Sequence, residues 1–288
     1  HGLGADYIEQ DLVLTKDAVP VVLHDIHLET TTNVEEVFPD RKRNDGRWYA
    51  IDLTLAEIQR LSVHERTNSK TGLAVYPGRF PATSGAFRVP TFEGEIELIL
   101  GLNKSTGREV GIYPELKSPE FHHEAGMDMA KIVLDILRRY GYSEASSPVI
   151  IQCFDPETLR RIRSDMASPL QLVQLIGEND WGESKADYNA MRTREGLTII
   201  KQYANGVGPW IPHVLDVKSK KKPKPTKLVE MAHALGLVVH PYTARSDDLQ
   251  APFTSLKELI KALQDAKVDG VFTDFADQVI ALRGSPKN

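Results

Sequence analysis

Ala5-Asp6-Tyr7-Ile8-Glu9-Gln10-Asp11-Leu12-Val13 is the first apolar run of the chain, and the one that carries two acidic residues at strand spacing. Its apolar residues suit a β-strand, and polar groups interrupt them at fixed spacing. Side chains two apart on a strand share a face, so Tyr7, Glu9 and Asp11 point one way while Ile8 and Leu12 point the other. Two carboxylates on one face of a strand repel each other and lose hydration unless a cation lies between them.

Similar apolar runs recur along the chain. After a turn at Lys16-Asp17 comes a short run at 19–23, then runs at 110–116, 149–154, 170–176, 206–211, 237–242 and 271–275. Between them lie amphipathic helical patterns at 55–61, 92–102, 127–140, 156–166, 192–203, 226–235 and 255–266. In 127–140 the apolar residues Met129, Ile132, Val133, Ile136 and Leu137 fall at helical spacing. Strands that alternate with helices predict βα units and a parallel sheet, and nearly continuous apolar strands predict that both sheet faces are covered. With 19–23 taken as a hairpin partner, the main strands number seven, one short of an α/β fold of the (β/α)8 TIM-barrel class. A doubly wound open sheet is the competing layout, but no Gly-rich phosphate loop follows any of the runs. The chain opens His1-Gly2-Leu3-Gly4, where the glycines resemble a helix end. The missing first strand and helix are therefore expected upstream of His1.

We read residues 1–288 as a single barrel domain. Within it, 41–108 is too long for an ordinary βα connection and is expected to be an insertion capping the barrel mouth. It carries the Pro/Gly-rich segment Tyr76-Pro77-Gly78-Arg79-Phe80-Pro81. The basic run 218–227 (KSKKKPKPTK) is expected to be a solvated loop.

Composition excludes several classes. Hydrophobic residues are 41% and charged residues 26%, the balance of a globular domain. The net charge of −5 gives no bulk attraction to nucleic acid or to an anionic membrane. No apolar run approaches the roughly 20 residues of a membrane span. Cys153 is the one cysteine and sits in an apolar run, so it reads as a buried thiol.

The candidate site is built from strand-end polar residues. Glu115 and Lys117 repeat the Glu9/Asp11 spacing on a second strand, with Tyr113 on the same face and Ile112 and Leu116 opposite. The four would converge at the C-terminal ends of the strands, where barrel enzymes place their active sites. Three carboxylates suit one hard divalent cation, Mg²⁺ or Ca²⁺. A buried salt-bridge network of Glu9, Asp11 and Lys117 fits the same residues. His24 closes the run at 19–23 and could reach the same mouth, where an imidazole suits acid–base work; a lone histidine after a strand is more often structural. Gln152 and His240 end apolar runs and would line a pocket. Trp210 suits an apolar wall or core packing. Asp274 reads as a helix cap, and His122 and His123 as loop or rim.

Several blocks together resemble the glycerophosphodiester phosphodiesterases, most closely their bacterial periplasmic branch. They are Gly4–Leu12 (GADYIEQDL), Val21-Val22-Leu23-His24-Asp25, Tyr113-Pro114-Glu115-Leu116-Lys117 and His240-Pro241-Tyr242-Thr243. The segments 38–41, 45–52, 76–81, 152–155 and 271–275 share the likeness, which spans nearly the whole chain. The resemblance implies a barrel with an insertion after the strand of Glu9 and Asp11, and a divalent cation on Glu9, Asp11 and Glu115. It makes His24 one of two catalytic histidines and sets Lys117 against phosphate or glycerol. The implied reaction is hydrolysis of deacylated phospholipids such as glycerophosphocholine to sn-glycerol 3-phosphate and an alcohol. It also implies a small-molecule substrate, a periplasmic or secreted location, and a monomer or homodimer.

The sequence departs from the family at one point. The His-Arg-Gly block that ends the family's first strand, and supplies its other histidine, does not occur here. His1 is no substitute, because it precedes Glu9 by too few residues for a crossover of about a dozen or more. A protein starting at His1 is therefore expected to turn over glycerophosphocholine poorly. A non-catalytic glycerophosphodiester-binding protein and a related barrel phospholipase acting on acylated lipids are the alternatives.

Overall fold

The alternation is realised in the structure, a computed structural model that describes residues 1–79, 87–217 and 223–283. Its strands are β1 (Tyr7–Leu14), β2 (Pro20–Val22), β3 (Gly111–Leu116), β4 (Ile150–Cys153), β5 (Gln171–Ile176), β6 (Gly206–Pro209), β7 (Leu215–Asp216), β8 (Lys224–Pro225) and β9 (Val238–Val239). The helices before β4 are α1 (Val34–Val37), α2 (Leu55–Ile58), α3 (Phe92–Thr106), α4 (Pro119–Glu124) and α5 (Met129–Arg139). Those after it are α6 (Pro156–Ser164), α7 (Tyr188–Met191), α8 (Arg194–Ile200), α9 (Ile211–Val214), α10 (Leu228–Ala234), α11 (Leu256–Asp265) and α12 (Ala276–Arg283). The main sheet runs β2-β1-β3-β4-β5-β6-β9, with β2 antiparallel to β1 and the pairs from β4 to β9 parallel. All six residues of β3 and all four of β4 and β6 are buried, as expected of parallel strands covered on both faces.

The sequence sets the helix ends. Asp155 caps α6 by accepting from Glu157 N and Thr158 N, with Pro156 in the first turn where its missing N–H costs nothing. In α5 the buried residues Met129, Val133, Ile136 and Leu137 form the expected stripe.

The chain divides into two compact units. One comprises His1–Ile8, Glu109–Tyr113 and Ser143–Asn288, and the other Glu9–Arg108 and Pro114–Tyr142. The second holds most of the long segment between β2 and β3. Trp48, Leu53, Ile58, Leu61 and Val89 from that segment join Val13, Val21 and Leu23 in one buried cluster, so it packs on the β1–β2 hairpin. Phe92–Thr106, inside the expected insertion, is a single 15-residue helix that leads towards β3. The short helix α2 carries a capping box, in which Thr54 Oγ1 accepts from Glu57 N while the Glu57 carboxylate accepts from Thr54 N. Arg41 also pairs with Glu57 at 2.8 Å. The Thr54 backbone and Arg41 hold the Glu57 carboxyl at about 2, down from its ordinary 4.5. Glu57→Ala is expected to cost about 1 kcal/mol in denaturant unfolding. Because the folded value is the lower one, that contribution is full above pH 4.5 and fades as pH falls towards 2. A difference between wild type and variant that did not shrink on acidification would contradict this origin.

In the other unit, Gly111 has no room for a side chain. An added Cβ would run into the Tyr7 ring and lie 2.7 Å from the Pro148 carbonyl oxygen. Gly111→Ala is expected to destabilise the protein by roughly 1–3 kcal/mol, an overpacking cost readable as a lowered Tm.

Three expectations are corrected. The run 271–275 is not a strand: it makes one parallel bridge, Ala244 to Thr273. Thr273 Oγ1 donates to the Ala244 carbonyl at 2.7 Å, so a side chain occupies an acceptor that a longer ladder would use. The run 237–242 pairs as a strand over only two residues and then continues through a bridge from Trp210 to Tyr242. His122 is neither loop nor rim. Ser118 at φ 43° and Pro119 start α4, which buries His122 completely. There Leu14 N donates to its Nε2 at 3.4 Å, and burial pushes the imidazole down to about 4. Beyond these, Asp274 forms an ion pair with Arg245 at 2.6 Å just ahead of α12. In the basic run, Lys224 and Pro225 are exposed and pair with Leu215 and Asp216, while residues 218–222 lie outside the described residues. So do Phe80 and Pro81 of the Pro/Gly-rich segment.

Candidate active site

The alternation along β1 turns Glu9 and Asp11 to one side, as the two-residue period requires. β3 runs alongside: Lys117 N donates to the Leu12 carbonyl at 3.1 Å, which sets the end of β3 beside the carboxylates of β1. Glu9, Asp11 and Glu115 each bring an oxygen to a point where all three lie within 4.8 Å of one another. Glu9 is exposed, Asp11 half-buried and Glu115 buried. Lys117 Nζ lies 2.9 Å from Glu115 Oε1, and both side chains are more than nine-tenths buried.

The electrostatics fit a cation. Burial pushes the Glu115 carboxyl up to about 7; Lys117 opposes this and the Asp11 charge adds to it. A buried carboxylate with a like charge beside it is destabilised in its ionised form, and a divalent ion would reverse that balance. Three carboxylates and no soft ligand suit Mg²⁺ or Ca²⁺.

The β1–β2 hairpin brings His24 to this cluster. Register pairs Leu12 with Val22, and Leu23 N donates to the Asp11 carbonyl at 2.9 Å, so His24 emerges next to Asp11. Its Nδ1 is 2.6 Å from Asp25 Oδ1. Burial alone would raise the Asp25 carboxyl, but hydrogen bonds from His24 and Arg66 outweigh it and hold Asp25 well below the usual carboxylate range. An ionised Asp25 can only accept, so His24 Nδ1 is the donor and Nε2 is the nitrogen left to take up a proton. The Asp25 hydrogen bond raises the His24 pKa; burial and Lys117 oppose it, and Asp11 reinforces it.

The other expected residues lie in the first compact unit, 143–288. Gln152 is buried on β4. Trp210 follows β6 and meets Trp181 edge-on at 5.2 Å and His213 at 5.7 Å. His240 follows β9, and its Nδ1 lies 3.1 Å from the Tyr113 hydroxyl. Burial lowers its pKa. Tyr113 packs with Ile150, Val173 and Phe272, so His240 touches a packed layer of side chains. Sequence reasoning passed over Asp25 and Arg66. Asp25 was visible as the neighbour of His24, whereas nothing local marked Arg66.

An α/β fold that gathers three carboxylates, a lysine and an oriented histidine at strand ends is the layout of a barrel enzyme. The glycerophosphoryl diester phosphodiesterase family model matches residues 1–278. A glycerophosphodiester phosphodiesterase of Haemophilus influenzae is 43% identical over 294 residues, covering 95% of this chain and 80% of that protein. A crystal structure from Silicibacter pomeroyi, named for the same activity, has a TM-score of 0.70 at 25% identity and covers 98% of this chain and 84% of that one. An Oleispira antarctica phosphodiesterase solved with its product sn-glycerol-3-phosphate has a TM-score of 0.64 at 18% identity, covering 98% and 86%. The chain belongs to the glycerophosphoryl diester phosphodiesterase family, with that family's TIM-barrel fold, and is an enzyme of this class.

Proposed function

We propose that this enzyme hydrolyses glycerophosphodiesters, deacylated phospholipids such as glycerophosphocholine, to sn-glycerol 3-phosphate and an alcohol. The observation that carries the reading is the meeting of Glu9, Asp11 and Glu115 within 4.8 Å, with His24 held beside Asp11. Those three carboxylates would hold one Ca²⁺ or Mg²⁺ ion. Bound there, the cation would offset the negative charge that makes a phosphodiester a poor electrophile. His24 moves a proton at Nε2 while its Nδ1–H stays on Asp25. In the family resemblance a second histidine shares the acid–base work from a His-Arg-Gly block, which is not in this sequence. Lys117, ion-paired to Glu115 at 2.9 Å, favours its charged form against burial and would offer its ammonium to phosphate or glycerol. Gln152, Trp210 and His240 are proposed as substrate-binding residues on the sequence reading.

The test is turnover by the full natural protein of glycerophosphocholine against lysophosphatidylcholine, each with and without chelator. Cleavage of the first alone, lost in chelator, supports the reading. Preference for the acylated lipid would replace it with a phospholipase. A periplasmic or secreted location is proposed on the family likeness, and release by osmotic shock checks it. Among the described residues, no helix is long and apolar enough to cross a membrane.

A further inference from the structure

We infer that Arg66, from the long segment between β2 and β3, is a positioning residue that acts on His24 through Asp25; this deepens the proposed reaction and rests on it. The Asp25 carboxylate is shared. Oδ1 accepts from His24 Nδ1 at 2.6 Å, and Oδ2 accepts from Arg66 Nη1. With both oxygens engaged, the carboxylate cannot rotate away from the imidazole, so the tautomer and tilt of His24 depend on the guanidinium. Arg66 and Asp25 are 41 residues apart and both partly buried, so this is not one of the solvated surface pairs that contribute little.

The backbone around Arg66 is fixed from two sides. On one, Thr32 bridges Val63, His64 N donates to the Thr31 carbonyl at 3.0 Å, and Thr67 N donates to the Thr30 carbonyl at 2.8 Å. On the other, Val75 N donates to the Arg66 carbonyl at 2.8 Å beside a Thr67–Ala74 bridge. The guanidinium also reaches Thr30 Oγ1 at 3.5 Å. The segment thus delivers one cation to one carboxylate oxygen at a set position, and Asp25 passes that constraint to the ring.

The test uses the full natural protein with Arg66→Ala. Expected are a kcat lower by about tenfold to a hundredfold, the range for groups that orient a functional histidine from outside, and a KM for glycerophosphocholine and a Ca²⁺ affinity within about twofold of wild type. Imidazole ¹⁵N shifts should show a neutral His24 with its proton on Nδ1 in wild type and a mixture of tautomers in the variant. Added guanidinium ion should restore part of the kcat. Should Arg66→Ala fail to fold, Arg66→Met keeps the side-chain stem and is read in the same way. An unchanged kcat, a retained Nδ1 proton, or a loss carried by KM without guanidinium rescue would overturn the inference. If wild type cleaves no glycerophosphodiester, the proposed function fails, and the tautomer shift alone then decides on Arg66.

Discussion

Asp11→Ala is expected to abolish cation binding and to lower turnover by at least roughly a thousandfold, the equivalent of about 4 kcal/mol of lost transition-state stabilisation. Asp11 acts on its neighbours in the cluster, since its charge helps to push Glu115 up towards neutrality. Removing it takes a ligand from a three-carboxylate site and leaves Glu115 ion-paired to Lys117 alone at 2.9 Å. The fold should survive. Asp11 is half-buried, its main-chain bond to Leu23 N remains, and deletion relieves a like-charge repulsion in the cation-free protein. Two measurements separate these effects. Titration calorimetry with Ca²⁺ or Mg²⁺ should show binding to wild type and none to the variant. Thermal unfolding should show wild type gaining stability with added cation by mass action, and Asp11→Ala none. Activity that persisted in the variant, or in wild type with chelator, would remove the cation from the mechanism.

His24→Ala should separate proton transfer from cation binding. Loss of a positioned acid–base histidine is expected to lower kcat by about 10²–10⁴-fold. Cation affinity should remain near that of wild type, because His24 emerges beside the Asp11 backbone and supplies no oxygen to the cluster. KM should change little if the ring serves the chemical step rather than substrate binding. Should His24→Ala bind cation normally and turn over substrate at the wild-type rate, the proton would have to move elsewhere. His122 is no ready substitute: it is fully buried in α4 and burial holds it neutral.

The legible part of the structure follows from local periodicity. The strands from β1 to β6 fall within a residue or two of the apolar runs, because a strand covered on both faces needs continuous apolar residues. The failures cluster near the end of the chain. Leu237 to Tyr242 and Val271 to Phe275 have strand-like composition, yet pairing there shrinks to two residues and to single bridges. Thr273, which reads as a good strand former, uses its hydroxyl to take the Ala244 carbonyl instead. The helix α4 was hidden for a related reason. Six residues are too few for a visible period, and the structure starts it with Ser118 in a left-handed conformation.

The make-up of the site and the parity of its residues are already present in the chain's linear order. Glu9 with Asp11, and Tyr113, Glu115 and Lys117 together, must share faces because the strand period is two, whatever else the chain does. Which faces meet is a property of the folded chain. The parallel pairing of β3 with β1, the hairpin register that sets Leu23 against Asp11, and the reach of Arg66 to Asp25 all join distant segments. Such joins are chosen by burial across the whole fold, which no short window of sequence contains.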